Sequence, residues 1–433
     1  MNRKQAEDFV YKSYLKAQKY QEYSSKDSEK RRNDLTYDLI RGKAGTPCVV
    51  VTGSKGKGSV ANMISGILQS EFTVGLMSSP HIVDFCERFR VNGGKMSDED
   101  FVEQMTLIQN EIETIDASIP KNVCISPMGI QAYLALNYFE NQGTQFNVFE
   151  CGKGAKYDDV NNVKHDYAII NSIFLEHTRE LGETIEEIAE DKAHVITGEQ
   201  KCVYVAEQIP SVLKIIEDRA DKLDVPIKIY GRDFRAENVR YTREGMIFDV
   251  IIEQDIYSDI TIPLLGEHQA KNCALAFALC KDVLENLNLS KEKDNLENLN
   301  LSKLNWPGRM EVISKSPFVL LDACINEASC ENVIKVLEHL KIEDVTVIVG
   351  IPDDKDYLGV VSAMKDIASS IILTKSQNPH YVFTRWQQER LGGEGICADW
   401  TESVFEAINL AMEKNKPIVI LGTTSVIAEV KKM

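Results

Sequence analysis

The chain has no Cys-x-x-Cys pair, no apolar run near the ~20 residues that span a bilayer, and no surplus of positive charge. Each absence removes a class of protein. Ten cysteines are scattered singly, and several, such as Cys48, Cys273 and Cys280, lie within apolar patterns. They read as reduced thiols packed as small hydrophobes in the cytoplasm, and no zinc-ligand spacing is present. The stretch from Met1 to Asp8 mixes acids with bases and has no apolar core, so neither a signal peptide nor a membrane anchor is expected. Lys and Arg number 49 against 66 Asp and Glu, a formal charge of -17. That balance argues against a nucleic-acid partner, because a binder of phosphate backbones presents net positive surface.

What is present is an ordinary globular composition, 43% hydrophobic and 27% charged over 433 residues, enough for two or three domains with cores of their own. The most informative stretch is Val49-Val50-Val51-Thr52-Gly53-Ser54-Lys55-Gly56-Lys57-Gly58-Ser59. A β-branched run ends in a glycine- and lysine-rich loop. Apolar Val60, Met63, Ile64, Ile67 and Leu68 then follow with helical period. Strand, loop and helix in that order make a phosphate site. Glycines let backbone N–H groups turn inward, the helix N-terminus adds positive potential, and a lysine reaches the terminal phosphates. Lys57 is the candidate lysine and Ser59 the candidate magnesium ligand, although Gly58 separates them where the common P-loop has none. Lys55 suits a phosphate contact or a solvated loop equally.

Further short strands deliver polar groups at their carboxyl ends, where ligands sit in open α/β sheets. Phe146 to Glu150 delivers Glu150, placed for magnesium, and Tyr167 to Ile173 leads to Glu176-His177-Thr178. His177 alone suggests a hydrogen-bonded structural histidine; the matching position of Glu150 favours a ligand. Residues 1 to about 45 read as charged helix packing beside the nucleotide domain. Ser97 and Asp100 begin a capped helix with a stripe of Phe101, Met105, Ile108, Ile112 and Ile115. Thr184 to Ile196 is another capped helix, with Lys192 near its end, and strand-like runs dominate 200 to 265 before a helix begins near Gly266.

Leu284 to Lys291 recurs as Leu296 to Lys303, a duplication too short for a solenoid unit and read as a surface insertion. From Trp306 the alternation restarts with strands at Phe318–Asp322, Val345–Gly350, Ser370–Thr374 and Pro417–Gly422. The expectation is therefore an α/β protein: a P-loop nucleotide-binding domain over 1–305 and a smaller Rossmann-like α/β domain over 306–433.

Taken in order, these stretches match a family. They are the loop from Thr52 to Ser59, Ser79-Pro80-His81 with Glu87-Arg88, Glu150-Cys151-Gly152 with Asp158 and Asn161, and Glu176-His177-Thr178 through Asp191-Lys192-Ala193. Gly266-Glu267-His268-Gln269 with Asn272, Trp306-Pro307-Gly308-Arg309, Asp322 with Asn326, and Asp354 to Tyr357 complete the set. The chain from about residue 47 onward resembles folylpolyglutamate synthase and dihydrofolate synthase, members of the Mur ligase superfamily. The resemblance implies a ligase of one-carbon metabolism that uses ATP and magnesium to make an acyl phosphate from a small-molecule carboxylate, then lets an amino acid's amine form the amide. Catalytic roles fall to Lys57, His177 and Lys192, the last matching a lysine carbamylated in many relatives. Gly53, Ser54, Lys55, Gly56, Lys57, Gly58, Ser59, Asn272, Arg309 and Asp322 match nucleotide contacts. Ser59, Glu150 and His177 match metal ligands, and Ser79, Pro80 and His81 line the acceptor pocket. A monomer is expected.

The departures bear on the substrate. Relatives usually read Asp-Gly-Ala-His-Asn-Pro where this chain has Asp322-Ala323-Cys324-Ile325-Asn326-Glu327, and Gly-Ser-x-Tyr where it has Gly422-Thr423-Thr424-Ser425. Both belong to the region that receives the incoming glutamate. Gly129 ends what is usually a Phe-Glu pair, and Lys153, Ala155 and Lys156 enter a loop that usually reads Gly-Leu-Gly-Gly-Arg. The alternatives are the same chemistry with a non-glutamate amino acid or a non-folate acceptor, and a catalytically impaired nucleotide-binding regulatory protein.

Overall fold

The computed structural model describes every residue except 21–25, 28–30, 44, 287–295, 297–300, 302–303 and 305. The chain forms two compact units. The first comprises 1–236, 250–256 and 271–298, the second 237–249, 257–270 and 299–433. The second unit thus takes in two excursions from the strand-rich stretch as well as everything beyond 299. Most of the duplicated stretch lies outside the described residues.

The first unit is built on β1 (Cys48–Thr52), β2 (Val74–Met77), β3 (Phe89–Val91), β4 (Gly94–Lys95), β5 (Phe146–Glu150), β6 (Tyr167–Ile170), β7 (Cys202–Val205) and β8 (Ile227–Ile229). They lie in the order β4-β3-β2-β5-β1-β6-β7-β8. Pairing is parallel throughout except at β3, which runs antiparallel to β2 and β4. β1 reads Cys-Val-Val-Val-Thr with every residue buried, as a strand covered on both faces requires. Val50, Phe149, Ile170 and Val203 share one core with Phe101, Met105, Ile108 and Ile112 of the helix Asp98–Ser118. That helix starts where Ser97 accepts the Asp100 N–H at 3.0 Å. The N-terminal segment forms two helices, Arg3–Gln18 and Asp34–Arg41, whose Ala6, Phe9, Val10 and Ile40 join the same core.

β9 (Phe234–Thr242), β10 (Gly245–Ile252) and β11 (Asp255–Ile262) form a three-stranded ladder in the order β11-β10-β9, over a stretch the two units divide. The second unit carries β12 (Glu311–Lys315), β13 (Phe318–Asp322), β14 (Val345–Gly350), β15 (Ala368–Leu373), β16 (Asp399–Trp400) and β17 (Ile418–Gly422). Their order is β12-β13-β17-β14-β15-β16, parallel apart from β12. Crossover helices such as Glu327–His339 and Val404–Glu413 separate the parallel strands, the expected α/β arrangement.

Candidate active site

Sheet register assembles the site. Val51 of β1 lies opposite Glu150 of β5, and Thr52 lies opposite Ile170 of β6, so three strands end side by side and their loops share one edge. The loop after β1 turns through Gly53 at φ 137° and Gly56 at φ 78°, and the helix Lys57–Leu68 begins directly after Gly56. Its N-terminal N–H groups and dipole make an anion site. Ser54 ties this loop to the one after β6: its N–H donates to Ser172 O at 2.9 Å, and its Oγ accepts the Phe174 N–H at 2.9 Å.

At Gly56 a side chain has no room. A Cβ there would come within 2.5 Å of Asn171 Nδ2 and 2.9 Å of Asn272 Oδ1, two amides joined by a 3.0 Å hydrogen bond. The structure therefore brings Asn272 against the glycine loop. It also adds Asn171, which sequence reasoning left as an unremarkable strand-end residue; its place at the carboxyl end of β6, beside two site-bearing ends, was the available signal. Lys57 Nζ donates to Gly53 O at 2.8 Å, while Lys55 is exposed, its Nζ 6.0 Å from the centre of the Phe174 ring.

Lys192 is fully buried, so it is not a solvated helix lysine. Its ammonium donates to Lys153 O at 2.6 Å, Gly53 O at 2.9 Å and Glu176 Oε1 at 3.3 Å. Burial, reinforced by the charge of Lys57 and opposed by Glu176, lowers its pKa to about 8. His177, at φ 48°, holds its Nε2 4.0 Å from Glu176 Oε2, and burial lowers its pKa while Glu176 raises it. Glu176 thus joins Lys192 to His177, a link that the motif Glu-His-Thr contained without revealing its geometry.

Glu150 is 4% exposed, and its Oε2 accepts the Ser79 N–H at 2.8 Å. The Ser79-Pro80 bond is cis. His81 Nδ1 accepts from Arg88 Nε at 2.9 Å, and Arg88 Nη1 donates to Gln131 Oε1 at 2.8 Å. That bond assigns the ring proton to Nε2. Burial first, then the charge of Arg88, holds the imidazole at about 4, so His81 is neutral at physiological pH. Ser79, Pro80 and His81 therefore lie on the same loop edge as Glu150.

The hydroxyl of buried Ser59 and the carboxylate of Glu150 are hard oxygen donors of the kind magnesium takes, and the His177 nitrogen is a softer one. Among the described residues, one group of three His, Cys, Asp or Glu ligand atoms lies within 4.8 Å, at Asp84, Cys86 and Asp98. It is a charge-paired knot, since Arg3 Nη2 meets Asp84 Oδ1 at 2.8 Å and Lys95 also pairs with Asp84.

In the second unit, Asp322 ends β13 and its Oδ2 accepts the Met310 N–H at 2.8 Å, which ties it to the turn bearing Arg309. Gly308 O accepts the Ala323 N–H at 2.9 Å. Asn326 caps the helix Glu327–His339, accepting the Ser329 N–H at 2.9 Å, with Ile325 just before it. Ser425 Oγ lies 2.8 Å from Thr423 Oγ1 and 3.2 Å from Ser376 Oγ.

Comparison with known proteins gives a consistent picture. Residues 51–280 match the Mur ligase middle domain, and 308–424 match the Mur ligase glutamate ligase domain. A dihydrofolate synthase/folylpolyglutamate synthase of Bacillus subtilis is 29% identical over 388 residues, 88% of this chain and 89% of that protein. The apo form of L. casei FPGS superposes with TM-score 0.85 at 23% identity, covering 100% of this chain and 99% of that one. Mycobacterium tuberculosis folylpolyglutamate synthase complexed with ADP and AMPPCP superposes with TM-score 0.83 at 22% identity, covering 94% and 96%. Among the described residues no helix is long and apolar enough to cross a membrane.

Proposed function

The chain belongs to the Mur ligase family of ATP-dependent C–N ligases, and from that premise we propose that it joins glutamate to a folate carboxylate through an acyl phosphate. The observation that carries this reading is the convergence of Lys57 and Lys192 on the Gly53 carbonyl, with Glu176 paired to Lys192 and Glu150 ending the neighbouring strand. Loop N–H groups from Gly53 to Ser59 cradle the ATP phosphates, and Lys57 swings from Gly53 O to the transferring phosphoryl group. Asn272 contacts the nucleotide beside Gly56, and nucleotide contact is the role proposed for Arg309 and Asp322.

Ser59 and Glu150 would hold one magnesium ion and His177 a second, and the bound metal would supply neutralisation of phosphoryl charge. The acceptor binds at Ser79, Pro80 and His81, where the Nε2–H of neutral His81 donates to it. A share of Lys192 is neutral near its pKa of about 8, the form that reacts with CO2. Carbamylation there is part of this proposal, and intact-mass analysis would read it as one added CO2. Every cysteine but Cys397 is buried and all are free, which supports a reducing, cytoplasmic setting. We take the enzyme to act as a monomer.

The test incubates purified protein with ATP, magnesium, glutamate and a panel of reduced folates and pteroates, and follows ADP and product mass. Amide products with stoichiometric ADP are expected; neither with any acceptor overturns the reading. A second reading keeps the chemistry but changes the amine, because Ile325 and Ser425 replace the polar groups relatives use. Competition among amino acids separates the two, and clear preference for glutamate removes the second.

A further inference from the structure

We propose that Arg31 is a positioning residue for this site: through Asp158 it holds the loop Gly152–Lys156 so that the Lys153 carbonyl meets the Lys192 ammonium. The proposal rests on the ligase reading above and assigns a task to the N-terminal segment, which sequence reasoning treated as packing alone.

The Arg31 side chain is 19% exposed, and it lies between two buried carboxylates. Its Nε is 3.1 Å from Asp27 Oδ2 and its Nη1 is 3.7 Å from Asp158 Oδ2. Asp158 spends its oxygens on backbone. Oδ2 accepts the Gly152 N–H at 2.8 Å and Oδ1 accepts the Val160 N–H at 3.0 Å. Asp191, next to Lys192 in its helix, takes the other end of the same loop by accepting the Ala155 N–H at 2.8 Å.

Gly154 sits between these anchors. A Cβ there would come 2.1 Å from Asp191 Oδ1, so a side chain would displace the carboxylate that holds the Ala155 N–H. With its N–H groups held on both sides, the loop turns the Lys153 carbonyl toward Lys192 at 2.6 Å, and the same ammonium reaches Gly53 O at 2.9 Å. The chain of contacts is Arg31, Asp158, Gly152–Lys153, Lys192, Gly53. A buried carboxylate carrying two N–H bonds needs its cation, because an unpaired buried charge rearranges or recruits water. Without Arg31, Asp158 releases the loop, and the carbonyl under Lys192 moves.

A second strand of the same segment agrees. The Asp27 N–H donates to Glu180 O at 3.1 Å, and Asn33 Nδ2 donates to Lys156 O at 3.3 Å. Thr36 Oγ1 donates to Asp159 Oδ1 at 2.6 Å. Asp27, Asn33 and Thr36 thereby touch both the loop after β5 and the turn after His177.

The experiment compares wild type with Arg31→Ala and Arg31→Lys by amide hydrogen exchange and steady-state kinetics on the full chain. For Arg31→Ala we expect exchange at Gly152–Lys156 to rise roughly tenfold while β7 and β8 stay protected. kcat falls roughly tenfold or more, the size of effect that small misplacements produce, with the KM for ATP within about threefold. Arg31→Lys recovers most of the loss, because it restores a cation beside Asp158. Unchanged exchange at Gly152–Lys156 overturns the proposal, as does a uniform rise across the whole unit that lysine fails to reverse. Should Arg31→Ala fail to fold, Asp158→Asn takes its place with the same local readout. A wild type that ligates nothing overturns the ligase reading instead and leaves the exchange comparison standing.

Discussion

Lys192 offers a test of how far burial governs this site. Its pKa is lowered from 10.5 to about 8, with burial the largest cause. The unfolded chain therefore binds a proton that the folded chain has released between those two values, so this group makes stability rise with pH from about 8 to 10.5. Below about 8 both states are charged and the folded state bears the whole desolvation cost. Each pKa unit corresponds to about 1.36 kcal/mol, so the gain across the window is about 3 kcal/mol.

Buried thiols oppose it. Cys86 and Cys202 are pushed up to about 11 by burial, so the unfolded chain loses those protons first and stability falls as pH rises past 9.0. The useful quantity is therefore the difference between wild type and Lys192→Met, in which Cys86, Cys202 and the other groups away from Lys192 titrate alike. Urea unfolding in bicarbonate-free buffer at a series of pH values supplies it. Far-UV circular dichroism follows the backbone of both units and tryptophan fluorescence the second alone, since Trp306, Trp386 and Trp400 all lie there, so a transition present only in the former belongs to the first. The expected difference grows by about 3 kcal/mol from pH 7.5 to pH 10.5. A flat difference would refute the argument, showing that water or a rearranged Glu176 keeps the ammonium solvated.

Three further outcomes follow from the same geometry. Gly56→Ala combines a left-handed backbone at φ 78° with a Cβ 2.5 Å from Asn171 Nδ2. It should cost about 2–4 kcal/mol of stability and most ATP affinity, read by thermal unfolding with and without nucleotide. Glu150→Gln keeps an acceptor for the Ser79 N–H but removes the charge offered to magnesium. Unfolding should shift little while turnover falls by roughly 100-fold, the loss measured when charge stabilisation at a reacting group is removed; near-normal turnover would remove Glu150 from the metal site. Restoring the relatives' polar groups in Ile325→His with Ser425→Tyr should lower the KM for glutamate by roughly 30-fold, since each of the two restored hydrogen bonds contributes about 1 kcal/mol. An unchanged KM would show that glutamate is read elsewhere.

The parallel α/β character, the phosphate loop and the restart after Trp306 were legible because they depend on local pattern: β-branched runs, glycines before a helical period, and strands alternating with helices. The Thr184 cap came out as read, with its side chain accepting the Glu187 N–H at 3.2 Å. β9 and β11 were not legible as separate strands, because β9 is mostly half-buried and β11 mostly exposed, and neither alternates strictly between a covered and an open face. Ile115, expected on the buried stripe, is only partly covered, near the end of its helix.

The site divides the same way. The sequence alone determined which groups end two of the strands, since Thr52 and Glu150 close their own apolar runs, whereas the run read from Tyr167 to Ile173 stops as a strand at Ile170. It carried no information on distance. That Lys192, separated from Gly53 by 139 residues, should lie under its carbonyl was decided by parallel pairing of β1 with β5 and β6. The same pairing set Asn171 against Gly56, and the contacts of Asp27, Asn33 and Thr36 with the first unit set Arg31 against Asp158. The physical reason is that propensity and capping act over a few residues. A buried charge, in contrast, is fixed by whichever distant carbonyls and carboxylates the closed core leaves facing it.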